Sequence, residues 1–126
     1  MRDEIRETSE EERAVERDVF GREFELKGEI LQEDVEKYTR AFMEFKPLGA
    51  GEMRGAELKA AIRAGWIVKP ACAALEEYDL GTGKRTVRYV FDGVEVGKLR
   101  AREVIHYARL VTRRYLEETE VPDPKG

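Results

Sequence analysis

Ala60-Ala-Ile-Arg-Ala-Gly-Trp-Ile-Val-Lys-Pro70 is the stretch whose reading decides how this chain folds. The alanines and Ile62 carry a helical pattern into Gly65, and Lys69-Pro70 closes the passage. Glycine just past a helix end and proline soon after are stop signals. Glycine tolerates the left-handed conformation, and proline has no N–H with which to continue the ladder. Trp66, the only tryptophan, therefore sits in a helix exit with Ile67 and Val68 directly after it. It must pack on the chain's own core or on a partner. The reading leans to core for Trp66 and to contact for Ile67 and Val68.

Upstream, Leu31, Val35, Tyr38, Phe42 and Phe45 recur at spacings of four, three, four and three. That is one apolar face of an amphipathic helix, expected over 31–46. Lys46-Pro47 and the run Leu48-Gly-Ala-Gly-Glu52 end it. A second helix is expected over 52–64, with Leu58, Ala61 and Ile62 facing inward. The short glycine-rich link favours antiparallel neighbours. Downstream, Tyr78 and Leu80 alternate on one strand, and Val87, Tyr89 and Phe91 on another. Gly81-Thr-Gly-Lys84 forms the turn of this hairpin, and Asp92-Gly93 a further one. A last helix is expected over 100–118, with Val104, Ala108, Val111 and Tyr115 as its inner stripe. Near the start, Phe24 and Leu26 alternate with Glu23, Glu25 and Lys27, the period of a half-buried strand. Gly21 would then turn a hairpin after a strand ending at Val19-Phe20, giving short strands near 19–27.

The expected fold is thus a predominantly helical α+β domain. About three packed helices accompany a short N-terminal strand unit and a β-hairpin near 75–91. Residues 1–18 read as an acidic arm or short helix, with Ser9-Glu-Glu-Glu12 in the form of a capping box. Residues 19–118 read as a single globular domain, and 119–126 as a proline-containing tail.

The 126 residues suit one domain with a modest core. Charged residues make up 40%, against roughly 25% in an average domain. Such a balance fits long solvated faces or a small subunit of an assembly. No run of eighteen or more apolar residues exists, so no membrane span is expected. The N-terminus lacks an apolar secretory region. Cys72, the single cysteine, forms no internal disulfide, and a cytoplasmic location is expected. The net charge of −4 is uneven: residues 1–20 hold four arginines against eight acids, and residues 84–114 nine lysines or arginines against three acids.

No catalytic or metal set emerges. Gly81-Thr-Gly-Lys-Arg-Thr86 lacks the leading glycine of a phosphate loop and the hydroxyl residue after its lysine. Glu103-Val-Ile-His106 has the spacing of a di-iron motif, but His106 is the only histidine. A surface histidine paired with Glu103 is the expected reading. The same scarcity removes Ser-His-Asp and Cys-His arrangements. Neither cofactor nor metal is expected, and the chain reads as a non-enzyme. Lys84, Arg85 and Arg88 on the hairpin, with Arg102, Arg109 and Arg113 on the last helix, form a candidate nucleic-acid surface, as in a winged DNA-binding regulator. Against it stand a pI of about 5.3 and the hairpin placed before the basic helix, where a helix-turn-helix needs a helix.

From Phe24 onward the chain resembles the small assembly proteins of long-tailed phages, in particular the tail assembly chaperones. The residues that carry the likeness are Phe20-Gly-Arg-Glu-Phe-Glu-Leu26, the passage Ala64-Gly-Trp66, and Tyr115-Leu-Glu-Glu-Thr-Glu-Val-Pro122. The resemblance implies a cofactor-free helper in the host cytoplasm. Such a helper holds a hydrophobic, helical client such as the tape-measure protein, often as several copies. A head or tail connector component is the allied alternative. Under this reading Trp66, Ile67, Val68, Phe42 and Phe45 are the candidate client contacts. A protein client or a homo-oligomer is the expected partner.

Overall fold

A computed structural model describes residues 17–47 and 49–120. The described residues form an α+β fold: three helices and two small antiparallel sheets. Strand β1 (Glu25–Leu26) precedes helices α1 (Gln32–Phe45) and α2 (Ala50–Ala64). Strands β2 (Ile67–Lys69), β3 (Cys72–Asp79), β4 (Lys84–Phe91) and β5 (Val94–Glu95) follow. A single 3-10 turn over Val96–Lys98 leads into α3 (Ala101–Thr119). The capping box at Ser9, most of the acidic arm, and residues 121–126 of the tail lie outside the described residues.

Helix α2 packs against both α1 and α3. Ala56, Ala60, Ala61 and Ala64 are buried on it, and side chains this small let neighbouring helices approach closely. The helix ends as its sequence requires. Gly65 is left-handed at φ 78°, and the Trp66 N–H reaches back to the Ala61 carbonyl at 2.9 Å. This six-to-one bond satisfies a carbonyl that the helix end would otherwise orphan.

That cap turns Trp66 directly into the core, where it is fully buried. Its ring stacks on Tyr38 at 4.6 Å and faces Tyr115 at 6.4 Å. Its indole N–H donates to the Asp34 carbonyl at 3.0 Å, and its own carbonyl accepts the Lys27 N–H at 2.7 Å. The passage after α2 therefore pairs with β1, Leu26 opposite Ile67 and Glu25 opposite Lys69. Trp66 and Tyr38 lie in one core cluster. Leu58, Phe91 and Tyr107 belong to a second, and Phe45 and Ile67 touch both.

Asp34 is buried in the first turn of α1 and holds that turn together. Its carboxylate accepts the Leu31 N–H at 2.8 Å and Lys27 Nζ at 2.9 Å on each oxygen. The Leu31 N–H first, and Lys27 second, hold its pKa below the ordinary 3.8. The unfolded chain then binds a proton at a pH where the folded chain does not. The stabilisation is present above the unfolded value and is lost as pH falls through the lower folded value. Asp34→Asn should lower the urea midpoint at neutral pH. It should also flatten the loss of stability between about pH 5 and pH 3. A parallel pH–stability curve in the variant would contradict this.

The hairpin is longer than the alternation of 75–91 indicates, because β3 begins at Cys72. Asp79 pairs with Lys84 and Cys72 with Phe91. The loop closes through the Gly83 N–H to the Asp79 carbonyl at 2.7 Å, with Gly83 at φ 72°. Asp92 and Gly93, at φ 54° and 80°, turn β4 into β5, the two positive φ values of a two-residue I′ turn.

The N-terminal strand unit is the main correction. Residues 19–22 form a turn rather than the end of a strand and a strand hairpin. The Asp18 carboxylate takes the N–H groups of Phe20 at 2.9 Å and Arg22 at 3.1 Å. This local capture competes with strand pairing. Only Glu25–Leu26 of the expected 19–27 segment joins a sheet. The helix bounds shift by one or two residues, most at α2, which starts at Ala50 rather than at residue 52.

Candidate functional site

One open cleft, of about 510 Å³, lies between the end of α1, the first half of α2, the 3-10 turn and the start of α3. Phe45, Val96, Leu99, Val104 and Ile105 give it apolar walls, and Glu52, Arg54 and Lys59 line it as well. Phe45 is fixed from behind, edge-on to Tyr89 at 5.4 Å, with Lys59 Nζ 5.7 Å from its ring centroid. The Tyr89 hydroxyl accepts from Arg63 at 3.1 Å, which holds the strand base against α2.

Gly55 forms part of the cleft wall from within α2. Glycine inside a helix costs roughly 1 kcal/mol relative to alanine, so its presence calls for a reason. Among the described residues, and apart from its chain neighbours and its own helix backbone, no atom lies within 4 Å of where its Cβ would stand. Close packing inside the folded chain is therefore not that reason. Gly97, across the cleft, is equally open. The two glycines bare backbone where an incoming chain can approach.

Of the five expected contact residues, Trp66 is fully buried and lies behind the surface. Phe42 and Ile67 are half-buried and packed on the core. Val68 is 50% exposed on β2 but is not among the residues that line the cleft. Phe45 alone joins core and cleft. Gly55 carried the signal that sequence reading passed over, an unexplained glycine in the middle of a helical pattern.

The six basic candidates do not act as one set. Strand alternation puts Lys84 and Arg88 on one face of the ribbon and Arg85 on the other. Arg85 reaches Glu76 at 3.9 Å, and Arg88 reaches Glu77 at 3.2 Å and Glu95 at 3.3 Å. Arg102, Arg109 and Arg113 are exposed on α3.

No protein family, curated protein or solved structure matches this chain. Its chemistry is therefore read from the groups it holds. The two acids buried among the described residues are both paired, Asp34 with Lys27 and Glu57 with Arg54 at 3.1 Å. Among the described residues no three His, Cys, Asp or Glu side chains are grouped to hold a metal ion. Cys72 is half-buried, its thiol donating to the Pro70 carbonyl at 3.3 Å, and burial pushes its pKa up to about 11. A protonated thiol is a poor nucleophile.

A second polar cluster centres on Arg22. Its guanidinium reaches Asp92 at 2.9 Å, Glu103 at 3.0 Å and the Tyr107 hydroxyl at 3.1 Å. It also lies 5.1 Å from the Phe91 ring centroid and 5.4 Å from that of Tyr107. Tyr107 in turn donates to Asp18. Burial opposes the charge on Arg22, but the bonds to Asp92, Tyr107 and Glu103 outweigh it and raise its pKa. Burial first, and the bond to Asp18 next, push Tyr107 up to about 12. Glu103 thus pairs with Arg22, not with His106 as its spacing suggests. His106 instead lies edge-on to Phe20 at 5.3 Å. Arg22 and its partners bind one another and so tie the N-terminal turn, the β4–β5 turn and α3 together.

No helix among the described residues is long and apolar enough to cross a membrane.

Proposed function

We propose that this chain is a non-catalytic assembly protein of the tail-chaperone kind, which holds an apolar helical stretch of a protein client in the host cytoplasm. The observation that carries the reading is the cleft at Gly55, where apolar walls meet glycine backbone with free space above it. A helix laid in a groove needs apolar pockets and a floor low enough for close approach. The groove offers both, and the resemblance to phage tail assembly chaperones names a client with the matching pattern.

Two substitutions separate stability from binding. Gly55→Ala should raise the unfolding free energy by roughly 0.5–1 kcal/mol, since alanine suits a helix better and meets nothing there. Urea melts followed by circular dichroism check this. Gly55→Leu keeps the helix and fills the cleft. A synthetic helical peptide with apolar heptads, which aggregates alone, serves as the probe. The wild-type chain should suppress its light scattering, and the Gly55→Leu variant should not. Equal suppression by both proteins would remove the cleft from the mechanism. No suppression by either would remove the chaperone reading itself.

A further inference from the structure

The cleft at Gly55 is apolar within and cationic along its edge. Lys59 lines it from α2, its Nζ 5.7 Å from the Phe45 ring centroid and 6.0 Å from that of Tyr89. Two aromatic rings thus hold the ammonium at the cleft. Lys98 and Arg100 alternate in sequence with the lining residues Gly97, Leu99 and Ala101, and Arg102 stands about 60° round α3 from Ile105. Lys98, Arg100 and Arg102 are exposed. Among the described residues, none of these four side chains makes an ion pair or a hydrogen bond.

The acids near them are engaged elsewhere. Glu95 is held by Arg88 at 3.3 Å and Glu103 by Arg22 at 3.0 Å. Glu44, beside Phe45, faces Arg63 at 3.9 Å. Glu52, the acid of the cleft lining, also has a partner. Arg54, the other lining cation, is paired with Glu57 at 3.1 Å.

An occupant must answer both halves of this surface. Val96, Leu99, Val104 and Ile105 call for an apolar stripe, which a phosphate backbone lacks. The unmatched cations beside them call for carboxylates. The apolar stripes of α1 and α3 already face the core through Val35, Tyr38 and Val111, so the described residues of a second copy offer no such helix. We infer that the cleft takes an acidic amphipathic helix, with glutamate or aspartate flanking its apolar stripe, and that Lys59, Lys98, Arg100 and Arg102 pair with those acids. The inference rests on the cleft being the client site and adds the charge of the client. Complementary charge also speeds encounter and turns away helices with basic flanks.

The test uses the full chain and three fluorescent helical peptides that share one apolar stripe and carry Glu, Gln or Lys at the flanking positions. Binding is followed by anisotropy. At about 50 mM salt the Glu peptide should bind about three- to tenfold more tightly than the Gln peptide, as a few exposed ion pairs allow. The Lys peptide should bind more weakly than either. At about 0.5 M salt, where such charges are screened, the Glu and Gln affinities should converge. The triple variant Lys59→Gln, Arg100→Gln, Arg102→Gln should lose the Glu preference while holding the Gln peptide as before and keeping its urea midpoint. The milder pair Lys98→Gln, Arg100→Gln, both at exposed positions, should lose part of that preference. Equal affinity for all three peptides at low salt would overturn the inference and leave the cleft as the client site. Binding of none of them would remove the cleft reading and the inference with it. A Glu preference that survives Gly55→Leu would place the charge recognition elsewhere and overturn it. So would displacement of the Glu peptide by double-stranded DNA at equal charge concentration, which gives the rim to phosphate. Self-association of the chain that the Glu peptide competes away would give the cleft to a second copy and equally overturn it.

Discussion

Trp66→Ala is expected to lower the unfolding free energy by about 3–5 kcal/mol. Total stability of a domain this size is about 5–15 kcal/mol, so the variant should lose a large part of it. The reason is that one side chain performs three tasks. It fills the centre of the core between Tyr38 and Tyr115, it donates to the Asp34 carbonyl, and its backbone joins the α2 cap to β1. Trp66→Phe keeps most of the ring volume and removes the indole N–H. It should cost about 1–3 kcal/mol, because the Asp34 carbonyl loses a buried partner. Val68→Ala, two residues on and 50% exposed, should change stability by no more than about 0.5–1 kcal/mol. Urea melts followed by circular dichroism rank the three. Similar losses for Trp66→Ala and Val68→Ala would show that the core is not built on this ring. Tryptophan fluorescence of the wild type should be blue-shifted and should stay so when a client peptide binds, since the ring lies behind the surface.

Arg22→Ala is the second large effect, about 3 kcal/mol of destabilisation. Removing one partner of a partly buried charge cluster leaves the others uncompensated. Here those are Glu103, with a side chain 15% exposed, the Tyr107 hydroxyl, and Asp92 at the β4–β5 turn. Arg22→Met retains a stem over the Phe91 and Tyr107 rings and isolates the charge. If packing of that stem dominates, Arg22→Met should recover most of the stability. If the ion pairs dominate, Arg22→Met should fall close to Arg22→Ala, and adding Glu103→Gln should restore part of the loss. An Arg22→Ala melt indistinguishable from wild type would show that the N-terminal turn is not needed to fasten the hairpin to α3.

The same residues show how far sequence reaches. The three helices were readable because each has a long apolar period and clear stops. Lys46-Pro47, Gly65 and the turns at Gly83 and Asp92-Gly93 act within a few residues, and all stand where local chemistry places them. The segment 19–27 was misread as a strand hairpin because alternation over a few residues weighs little against one well-placed side chain. Asp18 captures two backbone N–H groups and turns the chain first. The pairing expected of Glu103 with His106 failed for a related reason. Spacing along a helix brings residues to one face but cannot see a cation from another segment, and Arg22 is eighty-one positions away.

The candidate site was less legible than the fold. Phe45 was named from its place in an apolar stripe, and only the structure shows it as both core and cleft wall. Gly55 sits inside a helical pattern that supplies no reason for it. Its meaning depends on the empty space above it, which is a property of the packed molecule. The basic residues behaved the same way. Their signs and positions are sequence facts, but cross-strand register decided that Arg85 and Arg88 find acids, while among the described residues Arg102, Arg109 and Arg113 find none.

By itself, the sequence determined the class of fold, the helix faces and ends, the main hairpin turn and the placing of Trp66 at a helix exit, because periodicity, capping and glycine chemistry act over a few residues. The tertiary structure alone decided that Trp66 is core, that Arg22 ties three segments together, and that the cleft opens at Gly55. Those outcomes depend on which distant surfaces meet, and burial and charge pairing are settled only when they do.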